Sequence, residues 1–266
     1  MTLPLRVNEF GRPDAPDLVL LHGLTDAGTT WPDAVERWEH GWHVLAIDQR
    51  GHGESPPFHE TQLERIHEVF VADAVRTLET ARELSGGGTA VVIGHSLGGR
   101  VALAVAAQRP ELVRALVLED PALFWSPAEI PEFIAEQQEF LDAFDGAFHE
   151  GAAAAEVERM RRETPWSDAE ILMWAACKPR VDRGLIANLD LGDVDAVAML
   201  DAVAVPTLVV HPPASPLIPP PGAVSNPLVR FVEVAGAGHC VRRDRPQQYY
   251  AVVEAFLDEV TDEPSW

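Results

Sequence analysis

The chain has 266 residues, too many for one simple helical bundle and too few for two full catalytic domains, so a single large α/β domain with an insertion suits the length. A hydrophobic fraction of 47% excludes a disordered or low-complexity chain. The formal net charge of -22 repels phosphate backbones and anionic headgroups, which argues against nucleic-acid and membrane partners.

In chain order, short apolar runs predict strands at Asp17–Leu21, Trp42–Ile47, Ala90–Ile93, Ala115–Leu118, Thr207–Val210 and Arg230–Val234. They are apolar on both faces, as expected of a parallel sheet covered on both sides. Helical spacing predicts helices over Glu64–Leu84, Leu97–Gln108 and Pro246–Val260 between and after them. The alternation defines a doubly wound α/β fold. Residues 122–201 break it with amphipathic helices starting near Pro127, Ala153 and Ser167, the last with the capping-box pattern Ser167-Asp168-Ala169-Glu170. They are expected to form a helical cap between two parts of the core, residues 1–121 and 202–266.

Two cysteines, Cys177 and Cys240, are too few for a disulfide framework or a metal knuckle. With no leader-like start and no apolar run of membrane length, a cytoplasmic protein is expected. Lys178 is the single lysine of a chain whose other basic residues are all arginine, a bias with no functional account in the sequence.

Gly94-His95-Ser96-Leu97-Gly98 follows an apolar strand and opens a helix. A sharp strand-to-helix turn there lifts the Ser96 hydroxyl off the sheet above a helix N-terminus. Of the ten histidines, His239 lies in the turn Gly236-Ala237-Gly238-His239 after the last strand, where it can reach over the sheet edge to Ser96. His22 and His52 suit the holding of two glycine-rich loops, and His95 suits the pocket wall. No histidine pair has metal-ligand spacing with a third ligand nearby, so neither a metal nor another cofactor is expected.

These motifs, with Leu20-Leu21-His22-Gly23-Leu24 near the start and Asp48-Gln49-Arg50-Gly51-His52-Gly53 after the second strand, resemble the α/β-hydrolase family over nearly the whole chain. The resemblance implies Ser96 as nucleophile, His239 as base, and backbone N–H groups of Leu24 and Leu97 as the oxyanion hole. The acid departs from the commonest family pattern, because the loop from His211 to Arg230 has no Asp or Glu. Asp201 precedes its strand and Glu233 lies inside one, which leaves Glu119-Asp120-Pro121 at the end of the strand after the elbow helix. Some haloalkane dehalogenases and a fungal-type lactone hydrolase resemble this arrangement, with the acid 24 residues after the nucleophile. That register selects Asp120, with Glu119 as the alternative acid or a supporting carboxylate. Pro121 is expected to hold Asp120 extended.

A serine in place of the aspartate nucleophile of dehalogenases and epoxide hydrolases directs the chemistry to an sp² carbonyl and an acyl-enzyme. The insertion carries many aromatics and, over residues 122–157, no Lys or Arg against a run of acids from Glu129 to Glu156. Phe124, Trp125, Trp174 and Asp26 are the candidate pocket residues, although a turn role suits Asp26 better. A small-molecule substrate, a neutral and moderately hydrophobic ester or lactone, is expected. C–C bond hydrolysis, perhydrolysis and a receptor-like binder with little turnover are the alternatives.

Overall fold

A computed structural model describes residues 4–124, 129–150 and 152–262. Its sheet has seven strands among these residues: β1 Val7–Gly11, β2 Asp17–Leu21, β3 His43–Ile47, β4 Ala90–His95, β5 Val113–Glu119, β6 Thr207–His211 and β7 Val229–Glu233. They lie in the order β1-β3-β2-β4-β5-β6-β7. All neighbours run parallel except β1, which pairs antiparallel with β3 at the edge. The six apolar runs of the sequence are β2 to β7. β1 is not among them, because its residues VNEFG are half exposed and carry no apolar run.

Both faces of the sheet are covered, which is why the central strands read as unbroken apolar runs. Leu18, Leu20, Val91, Ile93, Ala115 and Val117 pack on one side with α1 Pro32–Trp38 and the last helix, α9 Pro246–Asp262. Val19, Leu21, Val92, Leu116 and Leu118 pack on the other with α2 Ile66–Leu84 and α3 Leu97–Gln108. Seven residues are too few to show helical periodicity, so α1 was not expected.

Between β5 and β6 the described residues hold helices and no strand: α4 Ile130–Glu150, α5 Ala152–Glu163, α6 Asp168–Cys177, α7 Arg183–Ala187 and α8 Ala196–Ala202. The helix expected near Pro127 is α4; Pro127 itself lies outside the described residues. Phe144, Met160, Ile171, Trp174 and Ala175 form a small core of this segment's own. Its start and the stretch before α8 are both fastened to α3 by one buried side chain. Arg100 on α3 donates to the Ala122 carbonyl at 3.1 Å and to the Leu191 and Gly192 carbonyls at 2.6 and 2.7 Å. The Ser167 hydroxyl caps α6 by accepting from the Glu170 N–H at 3.1 Å, but only half the capping box forms, because the Glu170 carboxylate turns to two arginines of the core.

Candidate functional site

The site is built at the C-terminal edge of β4, where the strand passes into α3. Ser96 between them has φ 50° and ψ -113°, a strained backbone for a residue with a side chain. The tightness of the turn explains its glycines. A Cβ at position 94 would meet the Gly98 carbonyl oxygen at 2.4 Å, and one at position 98 would meet the Leu21 carbonyl oxygen at 2.1 Å. The turn therefore closes against both α3 and β2.

His239 follows β7 and reaches Asp120, which follows β5; its Nδ1 lies 2.6 Å from Asp120 Oδ2. His239 is half exposed toward the cavity while the carboxylate is buried. The other Asp120 oxygen accepts from the Ser215 hydroxyl at 2.5 Å, and the Asp120 N–H donates to the Val210 carbonyl at 2.9 Å. Ser215 belongs to the acid-free loop after β6, so that loop supplies a hydroxyl to support the carboxylate in place of a carboxylate of its own. Asp120 is not extended, contrary to the expectation from Pro121. Its φ is +38°, a region Asp tolerates better than most residues, and these two hydrogen bonds hold it there.

Glu119 is directed elsewhere. Its Oε1 accepts from the Arg242 N–H at 2.7 Å, and its Oε2 has no hydrogen-bond partner among the described residues. Burial pushes this carboxyl up to about 7 against the pull of Arg242. Asp201 accepts from the Ser225 and Asn226 N–H groups in the turn before β7, at the opposite strand ends.

Leu24 and Leu97 lie beside Ser96 at the ends of the adjacent strands β2 and β4. Neither backbone N–H has an acceptor among the described residues. The flanking loops are held by buried neutral histidines. His22 bonds the Gly23 carbonyl through Nδ1 at 2.8 Å and accepts from the Gln49 N–H through Nε2 at 3.0 Å. His52 Nδ1 meets the Arg50 carbonyl at 3.0 Å. Burial lowers His22 to about 4 and His52 to about 3. His95, also driven down by burial, lies against the His239 ring with centroids 4.8 Å apart.

Ser96 and His239 open on a cavity of about 610 Å³ walled mainly by apolar side chains. Of the candidate pocket residues, Phe124, Trp174 and Asp26 line it, whereas Trp125 lies outside the described residues. Trp174 also packs edge-on against Phe144 and Trp166, so it joins the wall to the insertion's small core. Cys240 sits in the wall with its thiol pushed up to about 12 by burial, which leaves it a poor nucleophile.

Behind the wall lies a buried ionic cluster that sequence reasoning missed. Lys178 Nζ donates to Asp26 Oδ1 at 2.7 Å, and Arg243 donates to Asp26 Oδ2 at 2.9 Å and to Glu170 at 2.8 Å. Arg242 pairs with the other Glu170 oxygen. Burial alone would raise the Asp26 carboxyl, but Arg243 and Lys178 outweigh it and hold it below the usual range. Asp26 is thus both the turn residue that was expected and a charged part of the cavity wall. The residues come from three distant segments, around Asp26, residues 170–178 and Arg242-Arg243, so no local motif announces them. The one signal was the isolated lysine.

Comparison with known proteins agrees with this architecture. Residues 16–241 match the model of the alpha/beta hydrolase fold, and the chain belongs to the α/β-hydrolase family. It is 34% identical over 149 residues to a lipase of Mycobacterium tuberculosis, a match that spans 55% of this chain and 53% of the lipase. It is 29% identical over 234 residues to the pimeloyl-[acyl-carrier protein] methyl ester esterase of Vibrio campbellii, covering 82% of this chain and 83% of that enzyme. Among solved structures, the enol-lactonase from Burkholderia xenovorans LB400 superposes with a TM-score of 0.72 at 22% identity, covering 96% of each chain. No helix among the described residues is long and apolar enough to cross a membrane.

Proposed function

We propose that this protein is a serine hydrolase of neutral, moderately hydrophobic carboxylic esters or lactones, acting through an acyl-enzyme. The observation that carries the reading is the 2.6 Å contact between His239 Nδ1 and Asp120, with His239 and Ser96 on one apolar cavity. Asp120 fixes the His239 tautomer with its proton on Nδ1, which leaves Nε2 to take the Ser96 proton. The Ser96 oxygen attacks the carbonyl carbon, and the Leu24 and Leu97 N–H groups receive the developing oxyanion. His239 then protonates the leaving alkoxide. Water repeats the cycle on the acyl-enzyme and releases the acid. The esterase and lipase relatives support this choice among the chemistries the fold carries.

In this reading residues 122–201 are a cap that roofs the site, and the two free thiols suit the cytoplasm. The experiment is a screen of purified protein against acyl-ester, aryl-ester and lactone series, with Ser96→Ala as control. Hydrolysis lost in Ser96→Ala is expected; turnover that survives the substitution contradicts the reading.

A further inference from the structure

The turn that carries Leu24 has a strained residue at its centre. The Asp26 N–H donates to the Gly23 carbonyl at 3.2 Å, which closes a four-residue turn with Leu24 second and Thr25 third. Thr25 has φ +65°, the left-handed region that a turn of this kind reserves for glycine at its third position. Threonine is β-branched and resists that conformation, so surrounding groups must impose it.

The groups that do so are visible. Lys178 Nζ donates to the Thr25 carbonyl at 2.9 Å and to Asp26 Oδ1 at 2.7 Å, so one ammonium grips two successive residues of the turn. Its side chain is fully buried. Nζ also lies 5.0 Å from the Trp174 ring centroid, and Arg243 holds the far oxygen of Asp26. The amine is therefore fixed by the insertion on one side and clamps the core turn on the other.

We propose that Lys178 is a positioning residue for the oxyanion site. By holding the Gly23–Asp26 turn in its strained form, it keeps the Leu24 N–H directed at the carbonyl oxygen of a substrate bound at Ser96. The inference rests on the hydrolase reading above. It follows that loss of Lys178 acts on the charged transition state more than on ground-state binding, and that the effect depends on a side chain being present at position 25.

The test uses Lys178→Met and Thr25→Gly, singly and together, with kcat and KM for one ester. Lys178→Met is expected to lower kcat by roughly 10–100-fold, part of the ~10²–10³ that one oxyanion donor supplies, with KM changed less than about threefold. In the Thr25→Gly background the same substitution is expected to cost about tenfold less, because glycine takes positive φ unaided. Equal losses in both backgrounds, or a loss confined to KM, overturn the proposal. Should Lys178→Met fail to fold, the wild type decides the matter. As the chain's single lysine, Lys178 gives one ¹⁵Nζ resonance in lysine-labelled protein. A shift of that resonance on phosphonylation of Ser96 is expected, and an adduct that leaves it unmoved overturns the proposal. A chain that takes no phosphonate at Ser96 contradicts the hydrolase reading, and this inference with it.

Discussion

The two walls of the cavity are made in different ways. The core wall rests on a set of backbone turns: Ser96 directly after β4, Asp120 directly after β5 and buried behind His239, and His239 itself in the turn that follows β7. The opposite wall joins α6 and the residues after it to the core through Lys178, Glu170, Arg242, Arg243 and Asp26, as many as 217 residues apart. Chemistry written into a turn needs particular residues at short spacing. An ionic cluster needs only complementary charges that meet after folding, so it leaves no spacing to find.

The comparison breaks first, and with the largest effect, at Asp120. Asp120→Asn keeps the shape but favours the wrong His239 tautomer, so turnover should fall by roughly 10³–10⁴ with the melting temperature little changed. Glu119→Gln should cost less than about tenfold, because that carboxylate bonds the Arg242 backbone. Steady-state kinetics on the two variants check this, and the reverse order of losses moves the acid to Glu119.

The insertion wall should fail through stability instead. Glu170→Ala leaves Arg242 and Arg243 buried without their shared carboxylate, an expected loss of about 3–5 kcal/mol in denaturant unfolding. An unfolding free energy within about 1 kcal/mol of wild type would show that the cluster does not hold the two walls together.

A smaller effect follows from the pH behaviour of Glu119. Its folded value of about 7 lies above the ordinary 4.5, so the folded state binds this proton more tightly than the unfolded chain does. The stabilisation is full below about 4.5 and is lost as pH rises through about 7, by roughly 1–3 kcal/mol over that window. Wild type should therefore lose stability relative to Glu119→Gln as pH rises, read from unfolding curves at several pH values. A difference independent of pH contradicts the assignment.

The smallest expected effect is on charge selectivity. A neutral ester should exceed its carboxylate-bearing analogue in kcat/KM by several-fold at low salt, given the net charge of -22 and the acidic run on the insertion. The gap should narrow near 0.1 M salt, where screening acts over ~10 Å. A preference for the anion at low salt would show that the Arg243 side of the wall dominates recognition.

Legibility in the sequence followed the same division. β2 to β6 read clearly because they are buried almost throughout, and the edge strand β7 read through its run Phe231-Val232 although it is half exposed, while β1 at the other edge carries no apolar run and did not. Ser96, His239 and Asp120 were selected from motif, turn, elimination and the spacing of the resembling family members, and the 2.6 Å contact brings the last two together. The positive φ of Asp120 and its Ser215 partner were not found, because a hydroxyl in a proline-rich loop carries no distinguishing pattern. Lys178 stood out by its rarity, yet its partners Thr25 and Asp26 lie more than 150 residues away, and only folding brings them to it.

The central claim is that Ser96 is the nucleophile of this site, and serine-directed phosphonylation read by intact and peptide mass tests it most directly. The account predicts one adduct, on Ser96, with none in Ser96→Ala and a turnover loss of at least ~10³ in that variant. An adduct on Cys240, or none on the wild-type chain, would contradict it.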